Sequence, residues 1–301
     1  MKESKIYLLS GLMFVLVSAG IWLKTETKGT LDKGQYSYAD VKTLDLSKSY
    51  TFAEEKVPMD NWDALERLER ELLVNAYWHS NTLLMIKKSK RYFPFIEQIL
   101  KEQGLPDDLK YIVAAESSFA FATSPSGAKG LWQMMNATAK DYSLEVNEDV
   151  DERNHLEKST FAACKMLGRL KEKFGTWSLA AAAYNMGPAG LQKEMNNQRA
   201  VDYYELNLNT ETLRYVLRLI AIKEVMQHPD QYGFATDDGP LYKPLNKYTE
   251  VSVDSSVSNW GDFAKSFGVN YRMLKIYNPW LISNGLQNSS KKKYLIKLPK
   301  E

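Results

Sequence analysis

A glutamate in an apolar helix is the clearest candidate for chemistry in this chain. Glu116 lies in the segment from Ile112 to Phe121, "IVAAESSFAF", where the neighbouring side chains are apolar or small. At about 100° per residue along a helix starting at Pro106, Glu116 returns to within about 20° of Leu109 and faces inward. A carboxyl group in apolar surroundings can stay protonated near neutral pH and act as a general acid. The competing interpretation is structural, since Glu116 could instead pair with an arginine or lysine or cap a neighbouring helix.

Side chains able to assist such a carboxyl group follow Glu116 directly and recur in two later segments. Ser117 could hydrogen-bond the carboxylate or a substrate. Gln133, in "SGAKGLWQMM", has an amide that donates and accepts hydrogen bonds, which suits sugar hydroxyls and amides. Tyr184 and Asn185 end the alanine-rich segment "AAAAYNMGP". Tyr184 could donate to Glu116, and Asn185 could bind an acetamido group, although each segment taken alone is also typical of an ordinary turn or helix end.

Other residues near these segments have predicted structural roles. Gly127 and Gly130 would let the backbone approach a ligand closely. Trp132 is predicted to face a sugar-binding cleft because it stands inside the same segment as Gln133. Asp149 and Asp151 are predicted to belong to a solvated turn.

The composition indicates a globular chain without metal or nucleic-acid chemistry. Of 301 residues, 44% are hydrophobic and 25% charged, and the net charge of +2 gives no signature of nucleic-acid binding. One cysteine, Cys164, excludes an internal disulfide and is predicted to be a small core residue. With only three scattered histidines, we expect no metal site and no cofactor.

The N-terminus predicts export. Lys2 and Lys5 precede the uncharged, apolar stretch from Ile6 to Leu23. Residues 1–24 are therefore predicted to be a transmembrane anchor or a secretory signal peptide, and the sequence leaves both alternatives open. In either case the rest of the chain lies outside the cytoplasm.

Periodicity divides the remainder into four parts. Residues 25–56 are polar and predicted to be a tether, and 233–247 are rich in proline and glycine and predicted to be a linker. Between them, 57–232 carry helical patterns that include one helix capped by Asn61 and running to about Tyr92, and another helix ending at Gly104. Residues 248–301 show strand-like ends around two short helical stretches.

Four motifs appear in a fixed order: "AAESSF", "SPSGAKGLWQMMNATAKDY", "AAAAYNMGP" and "ETLRYV". In this order and spacing, over roughly 60–232, the chain resembles the family 1 lytic transglycosylases of the goose-type lysozyme superfamily. One departure is Asn136, where that family usually has proline. Asparagine can still cap the helix that follows.

The resemblance implies a mainly α, lysozyme-like catalytic domain that cleaves the β-1,4 bond between N-acetylmuramic acid and N-acetylglucosamine. It makes Glu116 the sole catalytic carboxylate, which first protonates the glycosidic oxygen and then takes a proton from the C6 hydroxyl of the muramoyl sugar. The product is a 1,6-anhydro sugar. Gln133 and Tyr215 are the candidate substrate contacts, and Ser117 would orient Glu116 or the leaving sugar. Glu211, at a predicted helix start, is interpreted as structural.

The C-terminal segment "FAKSFGVNYRMLKIYNP" followed by "KKYLIKLP" resembles a LysM domain, a small β-α-α-β unit that binds N-acetylglucosamine chains. Its opening lacks the Gly-Asp-Thr-Leu usual in that family, so a degenerate packing module is the alternative. Together these resemblances imply an enzyme of the bacterial cell envelope, on the periplasmic side and held to the membrane by 1–24, whose partner is the peptidoglycan glycan strand. A hydrolytic muramidase of the same fold and a non-catalytic peptidoglycan-binding scaffold remain alternatives. The oligomeric state is left open.

Overall fold

The computed structural model describes residues 44, 46–235 and 241–300. The predicted anchor or signal peptide, 1–24, lies outside these residues, as does most of the predicted tether. No helix in the described part of the chain is both long enough and apolar enough to cross a membrane.

Helices dominate from residue 62 to residue 227, which confirms the mainly α class. They are α1 Trp62–Tyr77, α2 His79–Glu102, α3 Tyr111–Ser117, α4 Asn136–Asp141, α5 Leu156–Phe174, α6 Trp177–Met186, α7 Pro188–Gln198 and α8 Thr210–Gln227. Short 3₁₀ helices lie at Asp107–Lys110, Glu152–Asn154, Tyr203–Glu205 and Pro229–Tyr232.

The boundary between the first two helices lies at Trp78, not near Tyr92 as predicted. Asn61 caps α1 as expected, its side chain accepting from the backbone N–H groups of Asp63 and Ala64. Pro94 lies inside α2 without ending it. The sequence pattern could not locate this boundary because apolar residues at helical spacing continue on both sides of Trp78.

The core is built around α8, which packs against α1, α3 and α6. In α6 the four consecutive alanines 180–183 are completely buried. Because alanine side chains are small, they let α6 approach its neighbours closely. The contact between α3 and α8 brings the end of α3, which carries Glu116, beside the face of α8 that carries Tyr215.

The last part of the predicted tether is folded. Strands β1 (Thr51–Phe52) and β2 (Glu55–Lys56) form a short hairpin, and Phe52 and Val57 are buried in the main core. The Glu55 carboxylate accepts hydrogen bonds from the backbone N–H groups of Trp177 at 2.5 Å and Ser178 at 2.9 Å, at the start of α6. Carboxylates are favoured at helix N-termini, so residues 50–56 belong to the helical domain rather than to a tether.

A loop at 122–134, which carries Gln133, is held by a buried ion pair. Arg153 donates from Nη1 to the carbonyl oxygens of Gly127 at 2.9 Å and Met134 at 3.2 Å. Its Nε and Nη2 donate to the Asp151 carboxylate at 2.9 and 2.8 Å. Asp151 is only 2% exposed, so the prediction of a solvated turn is wrong for this residue.

The position of Gly130 in the 122–134 loop requires a glycine. Its φ is +82°, and a Cβ atom there would lie 1.9 Å from the carbonyl oxygen of Arg153. The close approach at Gly130 is therefore to the protein's own backbone, not to a ligand as predicted. Any side chain at this position would push the 122–134 loop away from Arg153.

The C-terminal module has the predicted β-α-α-β order. Strands β3 (Tyr248–Val253) and β4 (Tyr294–Pro299) are antiparallel, with Tyr248 opposite Pro299 and Val253 opposite Tyr294. Helices α9 (Trp260–Ser266) and α10 (Tyr271–Tyr277) lie between them in the chain. The module has a separate small core, whose members include Trp260, Leu274, Trp280 and Ile296.

One segment of the helical domain completes the core of the C-terminal module. Val150 is fully buried within that core and forms a β-bridge with Leu281. The backbone N–H of Asp151 donates to the carbonyl oxygen of Trp280 at 2.8 Å, and the ring of His155 stacks on Trp280 at 5.5 Å. We call these contacts the intermodule contact.

Candidate active site

The candidate acid Glu116 stands at the end of the short helix α3. Leu109, Ile112 and Val113 are fully buried, as their spacing predicted, and Glu116 is half-buried on the same side. The two residues after the helix, Ser118 and Phe119, have positive φ values of 46° and 58°. This left-handed turn ends α3 at Ser117, one residue after Glu116.

The Glu116 carboxylate accepts a hydrogen bond from a neutral donor. The hydroxyl of Tyr215, from α8, donates to Glu116 Oε1 at 2.5 Å, and Tyr215 itself is 1% exposed. Within the described residues no lysine, arginine or histidine forms an ion pair with Glu116. The structural alternative of a salt-bridged Glu116 is therefore not realised in this part of the chain.

The surroundings of Glu116 favour its protonated form. Burial raises the pKa of its carboxyl from the usual 4.5 to about 6, against the opposing effect of the Tyr215 hydrogen bond. The negative charge of Glu211 raises the pKa further, and the positive charge of Arg218 lowers it. A carboxyl group with this pKa exchanges a proton easily near neutral pH, as an acid–base catalyst must.

Tyr184 does not donate to Glu116, so that prediction is wrong. Its hydroxyl donates instead to the carbonyl oxygen of Trp132 at 2.6 Å and so holds the 122–134 loop against α6. Trp132 is fully buried, and its indole Nε1 donates to Thr160 Oγ1 at 2.9 Å. The prediction that Trp132 faces a cleft is also wrong, because the ring fills the core beneath the loop.

Gln133 is half-buried and constrained by its own loop. Its φ is +47°, and its amide nitrogen donates to the carbonyl oxygens of Gly130 at 2.8 Å and Ala122 at 3.1 Å. Asn136, two residues after Met134, is the first residue of α4, whose start has no side-chain cap. The expected cap by Asn136 is absent from the described structure, and a substrate contact by Gln133 stays a prediction.

Ser117 and Asn185 also make protein contacts. Ser117 Oγ donates to the carbonyl oxygen of Val113 within α3 at 3.1 Å. The Asn185 side chain accepts from Thr212 Oγ1 at 2.7 Å and donates to Glu211 Oε1 at 3.3 Å. Glu211 is exposed in the first turn of α8. Roles for Ser117 and Asn185 towards a substrate stay predictions.

A buried charge cluster that the sequence did not predict lies beside the site. Glu71, on α1, is 1% exposed and accepts from Arg214 Nε at 2.6 Å. Arg218 Nε lies 3.9 Å from the second oxygen of Glu71. The sequence pattern could have predicted that Glu71 is buried, because Glu71 follows Leu68 by three residues and adjoins Leu72 on the apolar stripe of α1.

Cys164 is buried in the core, which confirms its structural interpretation. Burial raises the pKa of its thiol to about 12, so a reactive thiolate is disfavoured at neutral pH. Among the described residues, no group of three or more histidine, cysteine, aspartate or glutamate side chains could hold a metal ion.

Comparison with family models assigns two parts of the chain. Residues 93–207 match the model of the transglycosylase SLT domain. Residues 249–301 match the model of the soluble lytic transglycosylase C-terminal LysM-like domain. The first match includes Glu116, Gln133, Tyr184 and Asn185, and ends before Tyr215.

Among curated proteins, the membrane-bound lytic murein transglycosylase D of Escherichia coli K12 is 29% identical over 219 residues, which is 71% of this chain and 47% of that protein. A putative tributyltin chloride resistance protein of Alteromonas sp. strain M-1 is 34% identical over 115 residues, covering 36% of this chain and 56% of that protein. This chain thus spans about half the length of these relatives.

Two solved structures match parts of this chain with low scores. The 70 kDa soluble lytic transglycosylase of Escherichia coli gives a TM-score of 0.41 at 20% identity, over 60% of this chain and 35% of that one. An inactive mutant of the lytic transglycosylase Slt from Pseudomonas aeruginosa gives 0.40 at 19% identity, over 57% and 29%.

Proposed function

We propose that this chain, which carries a transglycosylase SLT domain and a LysM-like C-terminal domain, is a peptidoglycan lytic transglycosylase. It cleaves the β-1,4 bond between N-acetylmuramic acid and N-acetylglucosamine and forms 1,6-anhydromuramoyl products. The two domain matches and the lytic transglycosylases among the similar proteins support this proposal.

The observation that carries the proposal is the Glu116–Tyr215 pair. Within the described residues, Glu116 is a carboxyl group without an ion pair, and its single side-chain hydrogen bond comes from the buried hydroxyl of Tyr215. An ion pair would lock Glu116 in its charged form. A neutral donor leaves both protonation states accessible, and the mechanism uses both in turn.

In the proposed reaction Glu116 begins protonated and gives its proton to the glycosidic oxygen as the bond breaks. The resulting carboxylate is stabilised by the hydrogen bond from Tyr215, which matters most once charge develops on Glu116. The carboxylate then takes the proton of the C6 hydroxyl, whose oxygen closes the 1,6-anhydro ring on C1. Glu116 returns to its protonated form, and no water is consumed.

The remaining parts of the chain would place this activity in the bacterial envelope. Residues 1–24 would hold the protein to the membrane on the periplasmic side or be removed after export. The relative from Escherichia coli is named as membrane-bound, which supports anchoring. The C-terminal module would bind glycan strands. Ser117, Gln133 and Asn185 would contact or orient the substrate.

One observation favours a second candidate, a hydrolase of the same fold. Hydrolysis by two carboxylates needs a second acid near the first. The negative charge of Glu211 adds to the effect of burial in raising the pKa of Glu116. In a hydrolase Glu211 would activate water, and the product would carry a reducing end.

Mass spectrometry of the soluble products tests the proposal directly. Residues 25–301 and the same chain with Glu116→Gln are incubated with purified peptidoglycan. We expect anhydromuropeptides from the first protein and none from the second. Reducing muropeptides would move the protein to the hydrolases, and wall binding without products from either protein would support a non-catalytic scaffold.

A further inference from the structure

Residues 145–157 contact both the 122–134 loop and the C-terminal module, and we call them the connecting segment. Besides the intermodule contact, the module bonds to this segment at Asp149. The carbonyl oxygen of Asp149 accepts from the backbone N–H of Ile282 at 2.9 Å, and its carboxylate accepts from that of Gln287 at 2.7 Å. The module therefore fixes the connecting segment through several consecutive residues.

The same segment holds the 122–134 loop through Asp151. The backbone N–H of Asp151 bonds to the module, while its carboxylate pairs with Lys129 of the loop at 3.1 Å. The carboxylate also pairs with Arg153, whose side chain bonds two carbonyl oxygens of the loop. Burial raises the pKa of Asp151, but hydrogen bonds from Arg153 and Lys129 outweigh burial and lower it. Asp151 is therefore an anion at neutral pH that links the module to the loop.

Gln133 lies between two points at which the loop is anchored. The carbonyl oxygen of Trp132 accepts from Tyr184 of the helical domain at 2.6 Å. The carbonyl oxygen of Met134 accepts from Arg153 at 3.2 Å. Gln133 has a φ of +47°, which residues other than glycine seldom adopt unless their surroundings fix them. Its conformation depends on both anchors, and the second leads through the connecting segment to the module.

The connecting segment takes its position from the core of the module. Val150 is fully buried in that core and pairs with Leu281 in a β-bridge. Without the module, Val150 would be exposed to water and the backbone N–H of Asp151 would lose its acceptor. Both losses fall within three residues of Arg153, so the side chain that holds the loop at Met134 would lose its fixed support.

We propose that the C-terminal module positions the 122–134 loop for turnover, because the module holds the connecting segment and this segment holds the neighbours of Gln133. This role is separate from glycan binding by the module. It rests on the proposed function, since Gln133 contacts a substrate only if the chain acts on glycan strands. Asp151 and Arg153 are positioning residues, because they act through the loop. A module that only bound the wall would not change how the loop is held.

Two substitutions of Val150 loosen the connecting segment in the full chain. Val150→Ala removes two methyl groups, and Val150→Asp places a charge in the core of the module. Val251→Ala is the matched control, since Val251 packs against the same core from β3 and pairs with Ile296 within the module. Circular dichroism of each variant checks the fold, and Val150→Ala carries the test if Val150→Asp does not fold.

Hydrogen exchange of the loop measures how firmly it is held and requires no activity. The backbone N–H groups of Lys129 and Met134 each bond to the carbonyl oxygen of the other residue, at 3.0 and 3.1 Å. We expect both groups to exchange about fivefold faster in Val150→Asp than in the wild type, with a smaller increase in Val150→Ala and none in Val251→Ala. Unchanged exchange in the Val150 variants that fold, or an equal increase in Val251→Ala, would overturn the proposal.

A double-mutant cycle tests whether the module acts through Gln133. Turnover of soluble peptidoglycan fragments is compared in the wild type, Val150→Ala, Gln133→Ala and the double variant. We expect Val150→Ala to lower kcat/KM about fivefold in the wild type and less than about twofold once Gln133 is replaced, because a contact already removed cannot be displaced. Equal losses in both backgrounds would indicate a general disturbance and overturn the proposal. If the wild type yields no products, the proposed reaction is wrong, and hydrogen exchange still decides whether the module holds the loop.

Discussion

The pKa values of two half-buried glutamates in this molecule are shifted in opposite directions. Glu116 lies against the core of the helical domain, and its pKa is raised to about 6. Glu157, in the first turn of α5, lies at the intermodule contact. Burial raises the pKa of Glu157 too, but the hydrogen bond from His155 and the charge of Lys297 outweigh burial and lower it to about 2.

The difference comes from the partners of each carboxylate rather than from burial. Lys297, on β4, donates directly to Glu157, and His155 Nδ1 lies 3.2 Å from its second oxygen. Among the described residues, the side-chain hydrogen bond to Glu116 comes from the neutral hydroxyl of Tyr215. Burial beside the charged Lys297 produces a fixed anion that joins two modules, and burial with a neutral hydrogen-bond partner produces a group that can hold or release a proton.

The largest difference between the two glutamates is expected in the rate of peptidoglycan turnover. Glu116→Gln should lower turnover of peptidoglycan by about 100- to 10,000-fold, the range expected for a general acid–base residue. Glu157→Gln should change turnover by less than about threefold, because Glu157 is fixed as an anion and would take no part in proton transfer. Turnover is measured as product release under saturating substrate. Equal losses in the two variants would contradict the claim that Glu116, and not Glu157, transfers protons.

The same two substitutions should change stability in opposite directions. Because Glu116 has a raised pKa, it costs the folded state roughly 2 kcal/mol once the pH rises from 4.5 through about 6. Glu116→Gln should therefore increase the free energy of unfolding at pH 7.5. Glu157→Gln should decrease it by about 1.5–3 kcal/mol, since Lys297 loses a charged partner. Denaturant titration of both variants measures the two signs.

Stability against pH sharpens this prediction. The depressed pKa of Glu157 means that its contribution is fully present above pH 4.5, its usual pKa, and is lost as the pH falls towards about 2. In Glu157→Gln the loss of stability over this acidic range should be smaller than in the wild type. An unchanged acid-unfolding curve would show that Lys297 and His155 do not hold Glu157 as an anion.

The next largest effect is expected on the dependence of the rate on pH. Tyr215→Phe removes the hydrogen bond that favours the Glu116 carboxylate, so the pKa of Glu116 should rise above 6 and the alkaline limb of the rate profile should move to higher pH. Tyr184→Phe is the matched control, because that hydroxyl bonds the carbonyl oxygen of Trp132 instead. A shift of equal size in both variants would contradict the assignment of Tyr215.

The smallest effect is expected from Glu211→Gln. Removing this negative charge should lower the pKa of Glu116 slightly and cost less than about tenfold in rate. A loss comparable to that of Glu116→Gln, together with reducing-end products, would assign Glu211 as a second catalytic carboxylate and favour hydrolysis.

Local periodicity predicted the helix that carries Glu116 but not the residues that contact Glu116. Helical spacing from Leu109 placed Glu116 on the inward face, as observed, because α3 is regular over this distance. The choice between Tyr184 and Tyr215 as its donor depends on how α6 and α8 pack, which no local pattern encodes. Tyr184 is the donor that the sequence predicted, with Tyr215 predicted as a substrate contact, and the tertiary contact of α3 with α8 makes Tyr215 the donor instead.

Short or aperiodic segments account for the other errors. The hairpin at 51–56 has strands of two residues, which are too short to show the alternating pattern of a strand. The sequence therefore predicts a tether there. Trp132 was assigned to the cleft from its place in a motif, although motif membership does not distinguish a ring that supports the loop from one that contacts sugar. Asp151 is buried because it pairs with Arg153, two residues away. The turn that holds both residues is packed against the C-terminal module, and this distant contact cannot be predicted from the local sequence.

The intermodule contact also constrains the order in which the protein can mature. The segment that carries Val150 and Asp151 is bonded to Leu281 and Trp280, and the neighbouring Arg153 holds the 122–134 loop. Synthesis proceeds from the N-terminus, so about 130 residues must follow Val150 before its partners exist. We expect the loop that carries Gln133 to become fully ordered only after β4 has emerged, which would keep the nascent chain inactive until the C-terminal module has been made.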